Sequence, residues 1–425
     1  MESPNATEDI FTNIGESSLL VTRPKPYMCA RCKGSRRLCG LPACHILLRL
    51  KEQAGIFEKL KEARDIAAPS PPSLLVGEKG YPYVRVGVNL AEGDNAPLFE
   101  DPGSWWGRLG LLDIIKLRAS MIYSYRVLRV RSASNRIAEA VQEAAMSIRP
   151  VESEVFLSRP PVFTMRFDPL VKPVGFSAEV KKISLTSNPV IPRRVDSLVT
   201  DRVKAREALI ELYSRGFDVY YLQRLLSSGA LGVDKKFVPT RWSITAVDRA
   251  IGDYLLSKVK TFPEISGVEV YTSSYIGNNY VLLFLPGPWF MEMVEIWLPN
   301  SVWVPGAEPY TTLIHEYSDG RPSGQDGGYD AIRLPVLENL YKRGRQARVL
   351  AIREVTPEYF APVGNWQIRE SVRAALGRPP ERYESLREAL EAIKTRLKTP
   401  LEVALRRSTF INVATRQKTL MEFLG

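Results

Sequence analysis

The sequence predicts an α+β fold: a mixed core domain with a small N-terminal zinc module and a helical C-terminal segment. Three observations carry that expectation. Segments with strand character follow one another directly at 267–275, 279–285 and 291–298, while helical patterns gather between 137 and 228. Strands and helices therefore come in groups, without the alternation that a parallel βαβ sheet requires. All four cysteines fall between positions 29 and 44, which marks off a separate unit. Finally, 45% of the 425 residues are hydrophobic, enough to bury a large core without disulfide staples.

Residues 1–22 read as a flexible tail, acidic and broken where a secretion signal would be basic and then apolar. Residues 23–66 hold the cysteines and a helix over 45–63, in which Ile46, Leu50, Ala54, Phe57 and Leu60 recur at helical spacing. The run AAPSPPS at 67–73 reads as a stiff Pro-rich linker reaching to 80. The α+β core spans 81–380. Within it Val84, Val86 and Val88 alternate as in a half-buried strand. Ile137–Ile148, Val203–Tyr213 and Asp218–Ser228 read as helices, with Gly216 and Gly229 placed to end two of them. Arg348–Val355 reads as a further strand.

In 381–415 Leu386, Leu390, Ile393 and Leu397 mark one helix face, and Thr399-Pro400-Leu401-Glu402 combines a capping box with proline at the first helical position. Residues 416–425 form a tail. The most apolar run, Tyr280–Leu285, meets Pro286 far short of a membrane span. A cytoplasmic, reducing location without a membrane partner is expected, and there clustered thiols favour metal over disulfides.

The cysteines are spaced C-x2-C-x6-C-x4-C as Cys29, Cys32, Cys39 and Cys44. Two thiolate pairs can close a tetrahedral Zn²⁺ site with no open position, which is structural chemistry; His45 is the alternative fourth ligand. Lys33, Arg36 and Arg37 offset the charge of such a site and are also placed to meet phosphate. The net charge of +11 points to a polyanionic partner, nucleic acid first.

PVIPRRVDS and VPTRWSITAVD offer Arg193, Arg194 and Arg241 as phosphate forks. They also offer Asp196 and Asp248 as metal-binding or proton-transferring carboxylates, although Thr245-x-x-Asp248 also fits a capping box. The polar, Gly-rich run 314–333 reads as loop and carries His315, the one histidine outside the cysteine module. Lys342, Arg343 and Arg345 form a basic stretch suited to a nucleic-acid backbone, and Trp242 is a candidate for base stacking.

At the C-terminus Gln417, Leu420, Phe423 and Leu424 fit Q-x-x-h-x-x-F-L, similar to the sliding-clamp (PCNA) interaction motif. In that motif one turn presents the apolar residues as a plug on a single side. Many such motifs end in two aromatics; this one ends Phe-Leu.

The cysteine knuckle, the phrases LVGEKGYPYVRVG and VPTRWSITAVD, and the terminal QKTLMEFL together resemble the archaeal Nre family of DNA-repair proteins. The resemblance covers nearly the whole chain after the first twenty residues. It implies zinc ligands at Cys29, Cys32, Cys39 and Cys44, and clamp contacts at Gln417, Leu420, Phe423 and Leu424. It implies a DNA-repair role at the clamp and no particular catalytic residue. On the residues alone, the core is expected to bind and process DNA, by end processing, nuclease or nucleotidyl-transfer chemistry using Asp196, Arg241, Asp248 and His315 with Mg²⁺ or Mn²⁺. The competing expectation is a non-enzymatic adaptor that links damaged DNA to the clamp.

Overall fold

The computed structural model describes residues 29, 31–36, 38, 44–71, 73–91, 96–132, 135–160, 175–304 and 306–416. The α+β expectation holds: the described residues form two mixed sheets of six strands each, with helices grouped around them.

The first sheet contains β1 (Asp65–Ser70), β2 (Tyr83–Val86), β3 (Asn89–Leu90), β4 (Ile122–Arg129), β5 (Val151–Leu157) and β6 (Phe176–Leu185). Its order is β1-β5-β6-β4-β2, with β3 also on β4. Only the β4–β6 pair is parallel. The linker reading of 67–73 needs correction here, because Ala67–Ser70 belong to β1. Pro69 is compatible with a strand because β1 lies at the sheet edge, where a missing N–H leaves no central ladder bond unmade. One face of this sheet packs on α1 (His45–Leu60) and α4 (Arg136–Met146), joining Ile56, Leu60, Ile137 and Val141 to Val84, Val86, Val155 and Val180. Between β3 and β4 run the short α2 (Pro102–Trp105) and α3 (Leu111–Ala119).

Four helices lead to the second sheet: α5 (Arg193–Thr200), α6 (Ala205–Ser214), α7 (Val219–Ser227) and α8 (Thr240–Val259). That sheet contains β7 (Val268–Tyr275), β8 (Asn278–Leu285), β9 (Phe290–Trp297), β10 (Tyr310–Glu316), β11 (Arg348–Val355) and β12 (Glu381–Tyr383), in the order β10-β9-β11-β8-β7-β12. Here β9 and β11 are the parallel pair. Every residue of β9 and β11 is buried, because both faces of the sheet are covered. On one face lie α7, α8, α9 (Gly327–Arg343) and α10 (Trp366–Leu376); on the other lie α11 (Leu386–Lys394), α12 (Leu401–Ala404) and α13 (Phe410–Arg416).

The C-terminal segment opens with strand β12 on β7 before its helices begin. Its helices are pinned by two buried carboxylates of the sheet. Glu354 of β11 accepts from the Thr399 N–H and hydroxyl at 2.8 Å each, just before α12. Glu292 of β9 accepts from the Thr409 N–H at 2.8 Å and hydroxyl at 2.7 Å, just before α13. Thr399 thus serves Glu354 instead of the expected capping box, and Pro400 stands at the N-cap instead of in the first turn. Among the described residues no helix is long and apolar enough to cross a membrane.

Candidate functional site

The start of α8 is where two distant phrases of the sequence meet. The Thr240 hydroxyl accepts from the Val76 N–H at 2.8 Å, and the Thr240 N–H donates to the Val76 carbonyl at 3.0 Å. Arg241 pairs with Glu78 at 3.1 Å, and the Trp242 ring packs on Tyr81 with centroids 5.1 Å apart. VPTRWSITAVD and LVGEKGYPYVRVG are therefore the two halves of one junction between the sheets.

Further along α8 lies a buried charge network. Asp248 is inside the helix, not at its cap, so the capping-box reading is corrected. Its carboxylate accepts from Arg369 of α10 and from Gln223 of α7, the latter at 3.1 Å. Burial pushes the Asp248 carboxyl up against the pull of Arg369. The next residue, Arg249, faces Asp330 of α9 at 3.4 Å and Glu316 at the end of β10 at 3.6 Å. Arg333, one turn after Asp330, reaches Glu316 at 2.8 Å and Asp253 at 3.1 Å. The Trp289 indole N–H also donates to Glu316, at 2.9 Å. Gly252 leaves the space for this: a Cβ there would stand 2.5 Å from Arg333 Nη1.

This network is not saturated. Glu316 Oε2, Asp330 Oδ1, Arg333 Nη1 and the Tyr329 hydroxyl are buried without a hydrogen-bond partner. Burial drives the Asp330 carboxyl up to about 7, reinforced by Asp248 and Glu316 and opposed by Arg249 and Arg333. Burial likewise holds the Tyr329 phenol well above its ordinary value. Arg249 keeps 26% of its side-chain surface exposed and connects the cluster to solvent. A partly exposed guanidinium, Arg249, beside a carboxyl whose burial raises it towards neutrality can meet an anion and move a proton.

The sequence-predicted residues are divided among several places. Arg241, Trp242 and Asp248 share α8, and His315 on β10 adjoins Glu316 of the network. His315 is in a strand, not a loop, with its ring 6.3 Å from Phe290 and 5.6 Å from Tyr317. Only residues after Glu316 are loop, because Asp326 caps α9 by accepting from the Gly328 and Tyr329 N–H groups. Asp196 stands exposed in the first turn of α5, and no hydrogen bond or ion pair joins its side chain to the other three among the described residues.

Of the predicted DNA contacts, Arg194 is held by both oxygens of Glu211, whose carboxyl this pairing pulls down to about 2. Arg343 is held by both oxygens of Glu269 at 2.7 and 2.8 Å. Arg193, Lys342 and Arg345 remain exposed. Glu316 and Asp330 belong to the polar run 314–333 that the sequence marks as lining a site, whereas nothing in the sequence singles out Arg249, Tyr329 and Arg333. The available signal was an acid and an arginine inside the apolar helix YDAIRLPVL.

Around the cysteines, Lys33 and Gly34 adopt positive φ values of 50° and 76°, forming a tight turn after Cys32. The Leu38 N–H donates to Cys32 Sγ at 3.4 Å, and Cys44 Sγ lies 3.0 Å from where a Gly34 Cβ would be. Sulfur accepting a backbone N–H suits a thiolate ligand. Among the described residues no three His, Cys, Asp or Glu side chains are grouped to hold a metal, and Cys39 lies outside those residues. Gln417, Leu420, Phe423 and Leu424 lie outside them too.

Residues 38–304 match the family model described as Archaeal Nre, N-terminal, and residues 316–423 match that of Archaeal Nre, C-terminal. The chain is 38% identical over 406 residues to DNA repair protein NreA of Archaeoglobus fulgidus, covering 93% of this chain and 98% of that protein. It is 35% identical over 390 residues to DNA repair protein NreA of Haloferax volcanii, covering 88% and 93%. It is 31% identical over 399 residues to DNA repair protein NreB of A. fulgidus, covering 93% and all of that protein. No solved structure matches.

Proposed function

Because this chain belongs to the archaeal Nre family, we propose that it is a cytoplasmic DNA-repair protein held at the sliding clamp. The observation that carries the repair reading is likeness along nearly the full length to three proteins named for DNA repair. The clamp reading rests on Gln417, Leu420, Phe423 and Leu424, which a tether would place at high local concentration around the ring. Deleting 417–425 should abolish co-elution with the clamp, and unchanged co-elution would remove the tether.

For the core, the Arg249–Glu316–Asp330–Arg333 network is the best-supported reactive centre. Arg249, the partly exposed member, meets a phosphate of the DNA or of a nucleotide, Arg333 holds Glu316 in place from within, and Asp330 transfers the proton. Asp248 does not fit as a ligand for Mg²⁺ or Mn²⁺, since Arg369 and Gln223 already occupy its oxygens. The cysteines do fit zinc by the turn and the N–H to sulfur contact, and Cys29, Cys32, Cys39 and Cys44 would hold it. Its contribution there is to fold the module. Elemental analysis of the purified protein tests this, and absence of zinc would end it.

The adaptor reading is favoured by one observation: Asp248, Arg194 and Arg343 are all spent in ion pairs. A panel of labelled intact, nicked and phosphate-ended DNA with metals and nucleotides separates the two. Product formation lost in Asp330→Asn supports the enzyme. An inert panel, with DNA still bound, supports the adaptor.

A further inference from the structure

We infer that the open face of the first sheet is a stacking platform for single-stranded DNA, formed by Tyr83 and Arg85 of β2 and Tyr125 and Arg129 of β4. This rests on the DNA-repair reading and adds the place and the form of the DNA.

Alternation carries the first step. Val84 and Val86 are fully buried beneath the sheet, so Tyr83 and Arg85 point to the opposite side. The antiparallel register sets Tyr83 against Arg129 and Arg85 against Val127. Tyr125 follows on the same face, two residues before Val127. Tyr83 is 56% exposed and Val127 47%, so this face is open. At the end of β2 Tyr81, 49% exposed and packed on Trp242, extends the aromatic surface towards α8.

The second step is order. The Arg85 guanidinium stands 4.5 Å from the Tyr125 ring centroid. Tyr123, on the same face and buried beside Tyr125 with ring centroids 5.9 Å apart, closes this end of the platform, its hydroxyl donating to the Leu75 and Arg85 carbonyls at 2.6 and 3.0 Å. An exposed tyrosine costs little conformational entropy to use, and a guanidinium already placed beside a ring can meet the phosphate next to a stacked base.

Charge complementarity is the third step. Lys79, Arg85 and Arg129 are exposed along this face. The acids nearest to it are neutralised: Glu78 by Arg241 at 3.1 Å, and Glu179 by Arg126 at 3.6 Å and Arg159 at 3.4 Å. Aromatic rings that bases can stack on, with cations between them, fit single-stranded nucleic acid. A duplex hides its base faces and would use only the cations.

The test is fluorescence anisotropy of the full chain with labelled oligothymidylate of about 20 nucleotides, repeated with RNA and duplex of equal length. Tyr83→Ala and Tyr125→Ala should each weaken single-stranded DNA binding about tenfold while leaving Tm unchanged. Tyr83→Phe should restore it. Arg85→Ala should weaken binding and flatten its salt dependence. Lys260→Ala, exposed at the C-terminal end of α8, should change nothing. Full affinity in both tyrosine variants, or tighter binding of RNA or duplex, would overturn the platform while leaving the repair reading intact. No binding of any nucleic acid by the unaltered protein would overturn both.

Discussion

The two sheets have the same strand number and one parallel pair each, yet they treat their second face in opposite ways. The C-terminal sheet is covered on both faces, and its strands read as apolar runs such as YVLLFL and RVLAI. Polar groups within it must find partners, and Glu292, Glu295, Glu354 and Arg353 all do. The N-terminal sheet covers one face and leaves tyrosine and arginine on the other. Charge buried under the C-terminal sheet is fixed by geometry, whereas charge on the N-terminal sheet remains available to a ligand. The molecule thus separates a surface that can bind from an interior that can hold and move a proton.

The largest expected effect tests how much the interior depends on completed pairs. Arg369→Ala strips the partner from fully buried Asp248 and should cost about 3–5 kcal/mol in urea unfolding. Replacing both, Asp248→Leu with Arg369→Met, should recover most of that loss, since a well-packed apolar pair avoids the desolvation cost. A double variant as unstable as the single one would mean that the pair stabilises the fold beyond balancing its own burial.

Asp330 supplies the next effect, and its sign is fixed by burial. The folded carboxyl titrates near about 7, against about 3.9 in the unfolded chain. Between those values the folded state holds the extra proton, so stability is greatest at low pH and falls as pH rises towards the folded value. The fall is up to about 1.4 kcal/mol per pH unit. Urea unfolding of the unaltered protein should show that slope between about pH 5 and 7, and Asp330→Asn should lack it. Parallel curves would mean that Asp330 is ionised throughout and that the network is a plain ion-pair staple.

These two regions also differ in how plainly the sequence announces them. The strands at 279–285, 291–298 and 348–355 were legible because burial on both faces leaves only apolar residues, and α4, α6 and α7 were legible by helical spacing. β1 was missed because Ala-Ala-Pro-Ser carries no alternating pattern, and only its edge position makes Pro69 tolerable. Glu316 and Asp330 stand in the polar run 314–333, but their pairing with Arg249 and Arg333 is not legible, because Arg249 is a helix away and nothing local reveals such a contact. The platform was missed for the opposite reason. The alternation of Val84, Val86 and Val88 marks the strand, while Tyr83 and Arg85 gain meaning only when register brings β4 beside them.

The smallest effect sets one residue type against itself. Val294 of β9 is fully buried between the covering layers, while Val127 of β4 is 47% exposed on the platform. Threonine has nearly the shape of valine but brings a hydroxyl. At 294 that hydroxyl enters the apolar cluster that holds Leu350 and Ile352, so Val294→Thr should cost about 1–3 kcal/mol. At 127 water satisfies it, and Val127→Thr should stay within about 0.5 kcal/mol in urea unfolding. A cost at 127 equal to that at 294 would show that the N-terminal sheet is covered in solution, and the platform would lose the open surface it requires.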